Sequence, residues 1–201
     1  MLKVTIIDCG IGNLFSIECA LKKIGLDAKI SSTAKGLQNV DAIVLPGVGN
    51  FRAGSDNLRL LKPEIVKIVE DGVPLFGICL GMQLLFEESE ESPGRGLGIF
   101  SGKVVKLPKH IKSPHMGWNT LKITKPTVLL DGIDEKDHFY FVHSYYPNPA
   151  VANVVAAVTD YSITFASVVA KKNVFGVQFH PEKSGKPGER VLRNFVRIVK
   201  K

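Results

Sequence analysis

The sequence predicts an α/β fold built on one mixed sheet, with a parallel first half flanked by helices and antiparallel strands in the second half. Three observations carry that prediction. Short apolar runs alternate with helix-length amphipathic stretches over about the first 90 residues, the pattern of strands that cross over through helices. Beyond that point six strand-like runs follow, with links too short for a crossover helix, which favours antiparallel pairing. The 201 residues, 45% of them hydrophobic, suffice for one sizeable core, so residues 1–201 are expected to form a single domain.

Each element has its own signal. "KVTIID" (3–8) has the apolar content of a buried strand. "GIGN" (10–13) is a loop, and "LFSIECALKKIG" after it has helical spacing and a stop at Gly25. "DAKIS" (27–31) and "DAIVLPG" (41–47) are strands, the latter ending in a glycine turn. Residues 53–72 are expected to be helical with an interruption near Pro63. "VPLFGIC" (73–79) is a strand and 80–89 a helix. "GKVVKL", "WNTLKI", "HFYFVHSYY", "NVVAAVT", "ITFASVVAK" and "NVFGVQF" are the strands of the second half, and "GERVLRNFVRIVKK" closes the chain as a helix. There is no internal repeat, low-complexity tract or linker.

Bulk properties narrow the function. A charged fraction of 22% and a mean hydropathy of +0.12 are those of a soluble globular protein. No apolar run approaches the ~18 residues of a membrane span, and the N-terminus has the character of a first strand rather than a signal peptide. A cytoplasmic location with no membrane contact is therefore expected. Three cysteines, Cys9, Cys19 and Cys79, give neither a disulfide framework nor a CxxC metal site. His115 has no nearby ligand candidates in the sequence, and "GIGN" lacks the third glycine of a dinucleotide loop. No metal or cofactor is expected. The net charge of +7 comes from scattered Lys and Arg without an aromatic–basic motif. Ordinary scattered surface charge is a better reading than nucleic-acid binding, and an acidic protein partner would use the same charge.

The chemistry centres on "GICLG" (77–81). A cysteine between glycines, after an apolar strand and before a helix, has the form of a nucleophile elbow with sulfur in place of oxygen. A sharp turn lifts the side chain clear of the sheet, and the glycines leave room for the strained backbone and for a substrate. The helix N-terminus favours a thiolate, and the N–H of Leu80 is available to an oxyanion. On this pattern alone a buried structural cysteine remains an equal alternative. An ordinary thiol, with a pKa of about 8.5, needs a base. His180, at the end of "FGVQF", has Glu182 two residues on. In an extended segment those two side chains point the same way, so the carboxylate can orient the imidazole while its other nitrogen faces the thiol.

"GICLGMQLL" with "VQFHPEKS" resembles the class I (triad) glutamine amidotransferases. "DCGIGNLFSI", "AIVLPGVGNF", "PHMGWN" and "FYFVHSYY" fall in the order and spacing of one branch, the glutaminase subunits of imidazole glycerol phosphate synthase. Cys9 departs from that branch, which more often has an aromatic residue there. The resemblance implies a flavodoxin-like amidotransferase fold and hydrolysis of L-glutamine to glutamate and ammonia for histidine biosynthesis. It implies Cys79 as nucleophile, His180 as general base and acid, and Glu182 as the group holding His180. The oxyanion donors would be the N–H groups of Leu80 and of Val48 in "PGVG" (46–49). Gly47, Gly49, Gln83, His143, Ser144 and Tyr145 would surround the glutamine, the last three as hydrogen-bonding side chains. The implied partner is a (β/α)8-barrel cyclase subunit in a heterodimer, met by Asn13, Trp118 and Lys183. Two other readings stay open: a glutaminase serving another synthase, such as anthranilate or pyridoxal phosphate synthase, and a catalytically silent binding module.

Overall fold

The computed structural model describes residues 1–10, 12 and 14–200. Its first half contains β1 (Lys3–Ile7), α1 (Leu14–Lys23), β2 (Asp27–Ser31), β3 (Ala42–Gly47), α2 (Phe51–Leu58), α3 (Lys62–Glu70), β4 (Leu75–Cys79), α4 (Leu80–Gln83) and β5 (Glu88–Ser89). The second half contains β6 (Gly102–Lys106), β7 (His115–Thr120), β8 (Lys122–Ile123), β9 (His138–His143), β10 (Tyr145–Pro149), β11 (Val155–Asp160), β12 (Thr164–Lys171), β13 (Val174–Val177) and α5 (Gly185–Val199). No helix among the described residues is long and apolar enough to cross a membrane.

An eight-stranded sheet in the order β2-β1-β3-β4-β13-β12-β11-β8 forms the centre. Its first four strands are parallel, and β11, β12 and β8 pair antiparallel. The expected mixed sheet is present, with one difference. β13 returns to the middle and pairs parallel with β4, so "NVFGVQF" delivers its C-terminal end beside that of "VPLFGIC". Apolar strands buried on both faces suit this central position: every residue of β3, β4 and β13 is buried. Two small sheets, β10-β6-β5 and β7-β9, lie outside the main one.

The interruption expected near Pro63 is present: residues 59–61 separate α2 from α3, and Pro63 sits in the first turn of α3, where its missing N–H leaves no hydrogen bond unmade. Other local expectations need correction. The helix expected over 80–89 ends at Gln83. The carbonyls of Leu84, Leu85 and Phe86 accept from Leu97, Ile99 and Gly98 instead, so a returning segment replaces helical pairing there. "HFYFVHSYY" is not one strand. It breaks at Ser144 into β9 and β10, which belong to different sheets.

α5 packs its apolar stripe, Val191, Leu192 and Phe195, into the core, with the Phe195 ring 5.0 Å from that of Phe76. A Cβ on Gly188 would lie 2.0 Å from the Pro181 carbonyl oxygen, so α5 seats directly on the turn that follows β13.

Candidate active site

The C-terminal ends of β3, β4 and β13 converge on one point. Cys79 ends β4 and stands opposite Gly47 of β3 in the sheet register. Its backbone has φ 55° and ψ −110°, a conformation that costs an L-residue about 1–3 kcal/mol. The surrounding glycines are what make it reachable. A Cβ on Gly81 would sit 1.6 Å from the Leu45 carbonyl oxygen, and one on Gly77 2.7 Å from that of Gly81. They permit backbone against backbone, and not, as the sequence suggested, space for a ligand.

His180 follows β13 and is 3% exposed. Its backbone N–H donates to the Tyr140 carbonyl, and its own carbonyl accepts from Ser184 Oγ, which ties the segment to β9 and to the start of α5. Its Nδ1–H donates to Glu182 Oε1 at 2.9 Å. The extended geometry expected for 180–182 is absent, because Pro181–Lys183 form a 3₁₀ turn. The contact forms nonetheless, since the turn brings the carboxylate back under the ring. Nε2 is buried without a hydrogen-bond partner among the described residues. Burial lowers the pKa of His180, but the Cys79 sulfur and the Glu182 carboxylate outweigh it and raise the value to about 10. Thiol, imidazole and carboxylate thus form one electrostatic unit, which favours transfer of the thiol proton to the ring.

A cavity of about 280 Å³ opens at the sulfur, lined among others by Val48, Gly49, Leu80, Gln83, Ser144 and Tyr145. Leu80 is the first residue of α4, so its N–H has no intrahelical acceptor. Gly47 is not in the cavity wall. A Cβ there would meet Leu80 side-chain atoms at 3.2–3.4 Å, so Gly47 sets the position of Leu80. Gly49 takes φ +113° beside Val48, which is 37% exposed. Gln83 donates through Nε2 to the Tyr145 carbonyl at 2.9 Å and faces Gln178 Oε1 at 3.2 Å, which leaves its Oε1 for a ligand.

His143 departs from expectation. Its ring lines the cavity, but Nδ1 bonds the Tyr145 carbonyl and Nε2 bonds His115, each at 3.0 Å. Neither nitrogen is free for an amino-acid ligand. Of the surface candidates, Trp118 is 56% exposed and not a core residue. It packs on Tyr140, its cross-strand neighbour, and Lys183 Nζ lies 5.8 Å from the same ring. Asn13 lies outside the described residues.

A family model for class I glutamine amidotransferases matches residues 5–199. The chain belongs to that family. Enzymes of this class hydrolyse glutamine with a Cys–His–Glu triad, and this amidotransferase is 51% identical to imidazole glycerol phosphate synthase subunit HisH of Pyrococcus furiosus, over 98% of its own length and 99% of that protein. It is 50% identical to the subunit of the same name from Methanocaldococcus jannaschii, over 98% and 100% of the two chains. Its fold matches PurLQS from Thermotoga maritima, with a TM-score of 0.79 at 19% identity over 98% of each chain. It also matches a glutamine amidotransferase from Thermotoga maritima, with a TM-score of 0.72 at 15% identity over 100% and 99% of the chains. At that identity these structures share the amidotransferase fold alone.

Two polar residues of the amidotransferase site escaped sequence reasoning. Glu91 lines the cavity and accepts the Phe51 N–H at 2.6 Å. Its "EESEES" setting has the composition of a solvated run. Gln178 is fully buried with Nε2 3.6 Å from Cys79 Sγ. A polar side chain in the apolar run "FGVQF" was the available signal.

Proposed function

We propose that this chain is the glutaminase subunit of imidazole glycerol phosphate synthase, acting in the cytoplasm as a heterodimer with a (β/α)8-barrel cyclase subunit. The identity to HisH proteins over nearly the whole chain supports the pathway. The observation that carries the chemistry is the unit of Cys79, His180 and Glu182 at the mouth of a cavity with an acceptor side chain, Gln83, and a carboxylate, Glu91.

The Cys79 sulfur attacks the side-chain amide carbon of glutamine. His180 takes the thiol proton and returns it to the departing ammonia, while Glu182 holds the ring in the tautomer this requires. The N–H groups of Leu80 and Val48 receive the developing oxyanion, each at a value of about 3–4 kcal/mol of barrier. Water then hydrolyses the glutamyl thioester to glutamate. Glu91 pairs with the substrate ammonium and Gln83 Oε1 accepts from the substrate, with Gly49, Ser144 and Tyr145 completing the wall. Gly47 and His143 shape the site without touching the ligand through a side-chain hydrogen bond. Trp118 and Lys183, exposed beside Tyr140, form the docking face for the cyclase.

Glutamate release measured with and without a cognate cyclase subunit tests this reading. Release that rises on adding the partner, with amide nitrogen of labelled glutamine recovered in the cyclase product, is the expected result. No glutamate release under either condition overturns it.

A further inference from the structure

The buried amide of Gln178 has no part in the steps above, yet its Nε2 lies against the reacting sulfur. We infer that Gln178 is a further catalytic residue: its amide N–H stabilises the Cys79 thiolate, and a hydrogen-bond relay anchored on the Tyr145 carbonyl fixes the amide in the donating orientation. The inference rests on Cys79 being the nucleophile.

The orientation follows from a group whose polarity is not in question, because a carbonyl oxygen only accepts. The Tyr145 carbonyl takes an N–H from Gln83 Nε2 at 2.9 Å, so Gln83 presents its NH₂ on this side. The same NH₂ faces Gln178 at 3.2 Å, so Gln178 turns its oxygen toward Gln83 and its own NH₂ toward the sulfur. The reversed amide would set two NH₂ groups face to face and an oxygen against the thiolate.

The anchor itself is fixed from the other side. The Tyr145 carbonyl also takes the Nδ1–H of His143 at 3.0 Å. That leaves His143 Nε2 as an acceptor, which takes the Nδ1–H of His115 at 3.0 Å. His115 Nε2 then accepts from Asn119 Nδ2 at 3.4 Å. Asn119 is held by the Asp160 carbonyl at 2.9 Å and by the Thr120 N–H on its Oδ1 at 2.8 Å. The carbonyls of Tyr145 and Asp160 dictate the same polarity from opposite ends. Adding a proton to either ring would set one N–H against another, so the relay carries no charge to compete with the thiolate.

Besides His180, two groups at the sulfur act on different forms of it. Val142 offers a carbonyl at 3.9 Å, which only the thiol can use. The Gln178 N–H serves the thiolate, and a hydrogen bond to an ionised acceptor is roughly twice as strong as a neutral one. Gln178 thereby favours the form that attacks, separately from the donors that face the substrate oxygen.

The test is alkylation of residue 79 by iodoacetamide without glutamine, followed by peptide mass spectrometry from about pH 6 to 9, the range in which thiolates form. A Cys19→Ser background removes the exposed thiol. The titratable side chains around the sulfur are His180 with Glu182 behind it, and His143 and Glu91 in the cavity wall; all are retained. Gln178→Met should react about ten-fold more slowly at neutral pH, with the profile displaced to alkaline pH, the effect of losing one charge-assisted donor. Gln83→Met, which removes the alignment and keeps the donor, should shift the profile the same way by less. It carries the test should Gln178→Met not fold. A folded Gln178→Met variant, or in its absence Gln83→Met, with the parent's rate and profile overturns the inference alone. A parent chain whose residue 79 resists alkylation overturns the nucleophile assignment and this inference together.

Discussion

His115 donates through Nδ1 to Nε2 of His143 over 3.0 Å, and both residues are buried. His115 lies between the rings of Tyr161 and Phe141, with centroids at 4.0 and 4.9 Å. Burial lowers the pKa of His115 to about 4 and, with the neighbouring His115, that of His143 to about 3. Each ring is neutral in the fold and takes up a proton more readily in the unfolded chain. The stability they contribute is complete above the ordinary histidine value near 6.5 and is lost as pH falls toward those values. His180 has the opposite sign: its contribution is complete below about 6.5 and is lost as pH rises through about 10. Urea unfolding at a series of pH values should show a midpoint that falls on the acid side. A His115→Gln variant, which can supply the N–H but takes up no proton there, should show a shallower fall. An equal fall in both would remove His115 from the acid-labile set.

Replacing Cys79 with alanine should abolish glutamine hydrolysis and, on the proposed pairing with a cyclase subunit, leave ammonia-driven synthesis by the complex intact, because added ammonia bypasses the thiol. Cys9 and Cys19 should be dispensable for chemistry. Cys9 is fully buried with its pKa pushed up to about 12, by burial and by Asp8, and Cys19 is exposed on α1. Loss of hydrolysis in a folded Cys9→Ala or Cys19→Ala variant would contradict this.

Glu182→Gln should weaken thioester formation less than His180→Ala. The glutamine oxygen can still accept the Nδ1–H that Glu182 Oε1 accepts at 2.9 Å, whereas alanine at 180 leaves nothing to move the proton. Single-turnover measurement of the thioester gives the order directly. Equal or inverted losses in folded variants would reassign the two roles.

Gly47→Ala should lower kcat by about ten- to a hundred-fold with little change in KM, as expected when a donor to the transition state is displaced. The new methyl group would press on Leu80 from 3.2 Å, and the Leu80 N–H is one of the two proposed oxyanion donors. Steady-state glutaminase kinetics check this, and a rise in KM at constant kcat would place the effect on substrate binding instead.

The parts of the site legible in the sequence are those whose function is local. The elbow at 77–81 and the pair His180 and Glu182 work through neighbours within a few residues, so their spacing carries their meaning. Gln178 and Glu91 do not: one meets Cys79 across 99 positions and the other meets Phe51 across 40, and nothing in "FGVQF" or "EESEES" records those distances. The same holds for His143, whose Nε2 is claimed by His115 from 28 residues away. For the fold, alternation gave the strands, but the parallel return of β13 beside β4 is a pairing between segments about 100 residues apart. The early end of α4 likewise depends on carbonyls captured by a later segment.

The left-handed backbone at Cys79 bears on heat resistance. Glycine is ordinarily the less stable choice in a strand, by about 0.5–1 kcal/mol against alanine. At φ 55° the order reverses, because glycine relieves about 1–3 kcal/mol that any other residue must sustain. Of two inactive chains, the one with Cys79→Gly should therefore outlast the one with Cys79→Ala on heating. Among chains that have lost the thiol, selection for durability alone would favour hydrogen over a methyl group at this position.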